Sequence, residues 1–177
     1  TADGRSNTGG TSITLSPLND PPVATPGSAS GNEDGSLPIS LSGTDVDGRI
    51  VGVTVTALPA GGTLWLADGI TPVAVGQTIT PAQAASLLYR PGADFHGDQT
   101  ILFTVTDNGG ATSAPAAVSL TVVSVNDLPQ AAGSGGSGNE DTPIAVQLGG
   151  VDVDGSVVAV TVTSLPANGT LYLADGI

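Results

Sequence analysis

One stretch of this chain is written twice. Residues Pro21–Ile70 and Leu128–Ile177 align without a gap at a shift of 107, and 29 of the 50 paired positions are identical. Gly31-Asn32-Glu33-Asp34 returns as Gly138-Asn139-Glu140-Asp141, and Asp45-Val46-Asp47-Gly48 returns as Asp152-Val153-Asp154-Gly155. Asn19-Asp20 returns as Asn126-Asp127, and Leu66-Ala67-Asp68-Gly69-Ile70 as Leu173-Ala174-Asp175-Gly176-Ile177. Self-similarity at a fixed period means a tandem array, so each feature belongs to a module used repeatedly. A period of 107 suits one small domain per repeat. The expected layout is the last strand of a preceding repeat over residues 1–20, a complete module over 21–127 and the opening part of a following module over 128–177. Neither end piece is expected to bury a full core alone, and the chain reads as part of a longer protein.

Period-2 alternation runs through the module. Val51, Val53 and Val55 alternate with Thr54 and Thr56, and Val158, Val160 and Val162 repeat the pattern. Ile101, Phe103 and Val105 alternate with Leu102, Thr104 and Thr106, and Val118, Leu120 and Val122 with Ser119 and Thr121. Ile13 and Leu15 stand where a preceding module's last strand belongs. Such β-branched alternation predicts half-buried strands. Asp34-Gly35, Asp47-Gly48, Gly61-Gly62, Asp68-Gly69 and Asn108-Gly109-Gly110 predict the turns between them. Thr80 as cap, Pro81 at the first helical position and the helix formers of Ala82–Leu88 predict one or two helical turns, with Pro91 preventing continuation. The expected fold is all-β: immunoglobulin-like β-sandwiches of about seven strands per module with one short helix each. Trp65, Leu66, Leu87, Leu88, Tyr89, Phe95 and Phe103 are expected to fill the core with the valines. Trp65 and Tyr172, equivalent in the two copies, read as core aromatics, with a sugar-stacking platform as the alternative.

Charge narrows the function. The net charge of −13, with three Lys and Arg in 177 residues, repels phosphates, so no nucleic acid is expected as a partner. No basic patch invites anionic lipid, and no apolar run approaches about 18 residues, so no direct membrane insertion is expected. The absence of Cys removes disulfides and thiolate zinc sites, and a small domain without them gains from a metal staple. His96 is the single histidine, in a glycine-flanked loop, and no Ser/His/Asp set accompanies it. Paired carboxylates recur in each copy as repeated structure requires, and the glycines of Gly133–Gly138 precede no Lys, so neither a glycosidase nor a phosphate loop is expected. The chain is not expected to be an enzyme.

The acids have an order. In an immunoglobulin-like topology, loops sort to two ends. Asp45 and Asp47 after the second strand and Asp107 between the last two belong at the end where the chain enters, beside Asn19 and Asp20. Glu33 and Asp34 in the first turn, and Asp94 and Asp98 before the penultimate strand, belong at the exit end beside Asn126 and Asp127. The next module brings Asp152 and Asp154 there. Packed carboxylates repel unless a cation neutralises them. Ca2+ accepts 6–8 oxygens in flexible geometry, whereas Mg2+ demands a strict octahedron, so the candidate metal is Ca2+. Asp68 and Asp175 sit in hairpins and read as turn residues. Asn19-Asp20-Pro21-Pro22 and Asn126-Asp127-Leu128-Pro129 make short stiff linkers.

Taken together, Asn-Asp-Xaa-Pro, Asn-Glu-Asp, Asp-Val-Asp-Gly, Phe95-His96-Gly97-Asp98 and Phe103-Thr104-Val105-Thr106-Asp107-Asn108-Gly109-Gly110 resemble bacterial cadherin-like tandem repeats. Such repeats occur in giant secreted surface proteins and RTX-type adhesins. Asn126-Asp127-Leu128-Pro129, Asp152/Asp154, Asp107-Asn108-Gly109 and Glu33 also look like the linker, the Asp-Xaa-Asp pair, the late Asp-Xaa-Gly element and the early glutamate of animal cadherins. With fewer linker acids than theirs, fewer than three ions per junction are implied. The resemblance implies an extracellular spacer on the bacterial cell surface, stiffened by Ca2+ between neighbouring repeats of the same chain. Any cell-surface or substrate ligand would be met by other domains of the parent. A carbohydrate- or surface-ligand-binding sandwich is the alternative.

Overall fold

The computed structural model describes Gly10 and residues 18–173. The strand expected around Ile13 and Leu15 and the turn at Asp175 lie outside the described residues. Among the described residues, twelve strands and one helix follow in order. The first copy contains β1 (Val23–Thr25), β2 (Gly27–Asn32), β3 (Leu37–Ile39), β4 (Ser42–Thr44), β5 (Ile50–Ala57), β6 (Gly62–Leu66), β7 (Thr78–Ile79), α1 (Pro81–Ala84), β8 (Leu87–Pro91), β9 (Gly97–Asp107) and β10 (Ala116–Val123); β11 (Gln130–Gly133) and β12 (Leu148–Val151) follow in the second.

Two layers form. One sheet has the order β2-β10-β9-β5-β7 and the other is β3-β8-β6; β1 and β4 form a separate pair that lies against β9, β10 and β5. The apolar residues of both meet in one cluster that includes Leu37, Leu64, Leu87 and Tyr89 from one layer and Val53, Val55, Ile101, Phe103, Val105 and Leu120 from the other. This is the expected all-β sandwich. The first copy has ten strands rather than about seven, in part because its first strand is broken. Pro26 interrupts the first, and its halves join different sheets: β1 pairs antiparallel with β4, while β2 pairs parallel with β10. Proline has no N–H for a ladder and marks the crossing point. The parallel pair carries the chain to the same end as β10 and so delivers Glu33 there.

Three local expectations are corrected. Val51 does not share the face of Val53 and Val55. A register shift between Ile50 and Gly52 in the β5–β9 ladder breaks the alternation, and Val51 is exposed. An extra residue in one strand flips the facing side of what precedes it. In β6 it is Leu64, paired with Tyr89, that points inward. Trp65 is half-buried on the outer face, in one row with Leu88 and Pro38, and its ring lies under the Arg90 guanidinium at 5.2 Å. Of the seven expected core residues, Leu87, Tyr89 and Phe103 are buried. Trp65, Leu66, Leu88 and Phe95 are half-buried, with Leu66 and Phe95 packed against the core margin.

The helix is a single turn. The Thr80 side chain accepts from Gln83 N–H while the Gln83 side chain returns to Thr80 N–H, a complete capping box, with Pro81 at the start. It stops at Ala85, and Leu87 enters β8 because burying Leu87 and Tyr89 on alternate positions outweighs helix propensity. Among the described residues no helix is long and apolar enough to cross a membrane.

Candidate functional site

At the entry end the linker is hydrogen-bonded to the module. Asn19 Nδ2 donates to Asp107 Oδ2 at 2.8 Å, and Asp20 N–H to Asp47 Oδ2 at 3.1 Å. Asp47 N–H in turn faces Asp45 Oδ1 at 3.4 Å. Asp107 ends β9 with its side chain turned inward and fully buried, and its Oδ1 accepts from Ala111 N–H at 2.8 Å. Burial pushes the Asp107 carboxyl up, but the hydrogen bonds from Asn19 and from the backbone of Ala111, Gly109 and Gly110 together outweigh it and hold the carboxyl below its ordinary value. The approach is close: a Cβ at Gly109 would collide with the Asn19 amide.

Asn108 is a member of this site that the list of acids missed. Its Oδ1 accepts from Arg49 N–H at 2.6 Å, and its N–H donates back to Arg49 carbonyl at 3.0 Å. A Cβ at Gly48 would lie 2.6 Å from Asn108 Oδ1 and 2.7 Å from Asp45 Oδ2, so glycine keeps these two oxygens open to one another. The sequence signal was its place beside Asp107 in Asp107-Asn108-Gly109.

The exit end repeats the arrangement. Asp127 N–H faces both Asp154 oxygens at 3.3 Å, the same contact as Asp20 with Asp47 one repeat earlier. Asn126 Nδ2 donates to Asp127 carbonyl at 2.9 Å, as Asn19 does to Asp20 at 3.4 Å. Glu33 is buried just past β2. Its Oε1 accepts from Val125 N–H at 2.8 Å, its own N–H donates to Val123 carbonyl, and its Oε2 faces the exposed His96 Nδ1 at 3.7 Å. Burial, and then repulsion from Asp34, Asp94, Asp154 and Glu33, pushes the Asp127 carboxyl above its ordinary value. A cleft of about 420 Å3 opens here between the two copies, lined by Asp94, Asp127 and Asp152 among others. Asp94 adopts a left-handed backbone, φ 56°, that Asp tolerates better than most residues.

The structure therefore brings Asn19, Asp20, Asp45, Asp47 and Asp107 together at one end, and Glu33, Asp34, Asn126, Asp127, Asp152 and Asp154 at the other, with Asp94. Asp98 stands apart. It lies on β9, where its carboxylate accepts from Thr121 Oγ1 at 2.9 Å. Asp68 is a turn residue as expected. Hydrogen bonds from the Thr71 hydroxyl, then from the Thr71 and Ile70 backbone, hold its carboxyl low.

Among the described residues, the buried side-chain polar atoms without a hydrogen-bond partner include four carboxylate oxygens: Glu33 Oε2, Asp45 Oδ2, Asp127 Oδ2 and Asp152 Oδ1. All four belong to the two junctions. Buried oxygens are ordinarily satisfied, so these are places where a donor or a cation is wanted. Among the same residues, no three His, Asp or Glu side chains meet closely enough to hold a metal ion as they stand. At the exit, Asp94, Asp127 and Asp152 line a cleft; the carboxylates do not form a finished cage.

A family model described as a bacterial Ig domain matches residues 19–121, more than half of the chain. Integrin beta-like protein C of Dictyostelium discoideum is 31% identical over 128 residues, which is 69% of this chain and 6% of that protein. The chain thus spans a small part of the relative it matches. The two-layer architecture and the match across β1–β9 and most of β10 agree, and the chain belongs to the bacterial Ig domain family.

Proposed function

We propose that this chain is an extender of the cadherin-like kind, whose repeats are stiffened end to end by Ca2+ and project the binding part of an RTX-type bacterial surface adhesin away from the cell. The observation that carries this reading is the placement of the four buried carboxylate oxygens that lack a hydrogen bond, one at the entry junction and three at the exit. An oxygen-only donor set suits Ca2+, whose coordination is flexible enough to recruit oxygens from several loops. Asp94, Asp127 and Asp152 around the exit cleft, with Asp154 and Glu33 beside them, would turn toward an ion by side-chain rotation. Asn19, Asp20, Asp45, Asp47 and Asp107, with Asn108, would do so at the entry. The bound ion would supply charge neutralisation and cross-links between two modules and their linker. The protein's part is to hold the oxygens at the module ends through β2, the β9–β10 turn and the Asp-Xaa-Asp-Gly turns.

Extracellular placement follows from the same reading, because free Ca2+ reaches the range of weak extracellular sites, about 10⁻⁴–10⁻³ M, outside cells. Membership in a family of Ig modules and the repetition of the acids in both copies support a structural rather than a catalytic role. The test is scattering and thermal melting of the same chain in chelator and in about 1–5 mM Ca2+, above the weak-site range. Ca2+ is expected to raise the melting temperature and lengthen the particle. Identical curves in both conditions sink the proposal.

A second reading has one observation in its favour. Trp65 is on the outer sheet face, in a row with Pro38, Leu88 and Pro72, next to the exposed Arg90. An aromatic beside a cation is a sugar-binding combination. Its indole N–H is shielded from solvent, which argues against a polar ligand there. Glycan binding that Trp65→Ala abolishes, with the fold intact, would establish it.

A further inference from the structure

Asn108-Gly109 is a dipeptide with chemistry of its own. The backbone nitrogen of the following residue can attack an asparagine side-chain carbonyl, and glycine, having no Cβ, leaves that nitrogen open. Of Asn19, Asn32, Asn108 and Asn126 in the first copy, Asn108 alone precedes glycine; the others precede Asp or Glu. Packing fixes the glycine, since a Cβ on Gly109 would collide with the Asn19 amide.

The turn around this dipeptide supplies the groups such an attack requires. Asn108 Oδ1 accepts from Arg49 N–H at 2.6 Å. A donor already in place on that oxygen polarises the carbonyl and stabilises negative charge as it develops there. Asn108 N–H donates back to the Arg49 carbonyl at 3.0 Å, and Gly110 N–H to the Asp107 carbonyl at 3.3 Å, so both ends of the turn are held. Gly109 N–H is directed at the buried Asp107 carboxylate, which places a proton acceptor on the attacking nitrogen. Asn108 itself is exposed, so ammonia can leave and water can enter.

We infer that Asn108 is a self-modification site, deamidated by its own turn in the folded chain. The Gly109 nitrogen bonds to Asn108 Cγ, and its proton passes to the Asp107 carboxylate and on to the departing Nδ2. The Cγ–Nδ2 bond breaks, ammonia leaves and a cyclic imide remains. Water then opens the imide. Cleavage at Cγ restores the backbone with an aspartate side chain, and cleavage at the backbone carbonyl gives isoaspartate. Water is the only co-reactant. Either product replaces a neutral amide with a carboxylate across Gly48 from Asp45, whose Oδ2 has no hydrogen bond. The entry junction thereby gains a negative charge that is not written in the sequence. The reaction involves no cation, so its test in chelator stands apart from the Ca2+ reading.

The experiment incubates the full chain with chelator in mildly alkaline heavy-oxygen water, folded and in urea. Mass spectrometry follows the peptide that contains Asn108, and labelling by an isoaspartyl methyltransferase marks isoaspartate. Conversion with uptake of solvent oxygen is expected to run at least about tenfold faster in the folded chain than in urea, a modest share of what one preorganised donor supplies. Asn108→Gln, which must close a larger ring, is expected to stay unconverted. Asp107→Asn keeps the shape, removes the proton acceptor and is expected to bring the folded rate down toward the urea rate. Conversion no faster in the folded chain than in urea overturns the inference. So does an Asp107→Asn chain that folds and converts as fast as the parent.

Discussion

Asn19 and Asp107 are 88 positions apart and joined by one hydrogen bond of 2.8 Å from the linker amide to a buried carboxylate. Through this bond the segment entering the module is clamped to the turn between its last two strands. The clamp is paid for by desolvating Asp107, and the hydrogen bonds from Asn19 and three backbone N–H groups more than compensate. A carboxyl held low in the fold adds stability that is full above the unfolded-chain value of about 3.9 and is lost as pH falls through the lower folded value. Asp107→Ala is therefore expected to lower the melting temperature by several degrees at neutral pH. The gap to the parent chain should narrow as pH falls below about 4. Melting curves from pH 7 to pH 2 check both, and a gap that widens in acid would refute the assignment.

Asp127 behaves in the opposite sense. Its carboxyl is raised by burial and by four acidic neighbours, so ionising it costs the folded junction. Junction stability should fall as pH rises from about 3.9, the unfolded-chain value, through the folded value, and stay low above it when no cation is present. Asp127→Asn removes that cost. At neutral pH in chelator it is expected to raise the melting temperature or compact the particle, and in Ca2+ to lose most of the metal response. A variant that destabilises equally in chelator and in Ca2+ would show that repulsion is not the governing term.

Leu64 and Trp65 are neighbours with opposite fates. Leu64→Ala opens a cavity in the core between the two sheets and is expected to cost about 2–5 kcal/mol in urea unfolding. Trp65→Ala removes a half-buried ring and its contact with Arg90, and is expected to cost roughly 1–2 kcal/mol, from partial burial at ~25 cal/mol per Å2 plus about 0.5–1 for the cation–π contact. A larger loss at Trp65 than at Leu64 contradicts the observed phase of β6.

The capping box holds α1 at a single turn before β8. Thr80→Ala removes one side of it and is expected to cost about 1 kcal/mol. Thr80→Ser, which keeps the hydroxyl, should recover most of the loss in the same unfolding assay.

Alternation alone makes the β9 and β10 faces readable. Ile101, Phe103 and Val105, and Val118, Leu120 and Val122, all face the core. It failed where phase depended on a distant partner. The sequence Leu64-Trp65-Leu66 has no polar residue to mark its outward face, and pairing with Tyr89 chose Leu64. Val51 was displaced by a register shift against β9, which a one-strand pattern cannot reveal. Leu87 and Leu88 suit a helix locally, and pairing of Leu87 with Ile39 and Leu66, and of Tyr89 with Leu37 and Leu64, drew the segment into a strand.

The candidate site was legible to the same extent. Acids in turns must gather at the ends of a sandwich whose strands run along its long axis, and the period of 107 required both ends to match. The repeated contacts of Asp20 with Asp47 and Asp127 with Asp154 are that requirement in atoms. Sequence could not show that Asp98 is engaged by Thr121, that Asn108 stands beside Asp45 across Gly48, or that Glu33 is buried with one oxygen lacking a hydrogen bond. Those depend on which backbone N–H groups lie nearby.

By itself the order of residues determined a repeated all-β module with its negative charge at strand ends, because alternation and turn chemistry are local properties. The tertiary structure decided which of those carboxylates found donors and which were left with a buried oxygen that lacks a hydrogen bond. Hydrogen-bond satisfaction is a property of elements brought together from far along the chain, and no local pattern encodes it.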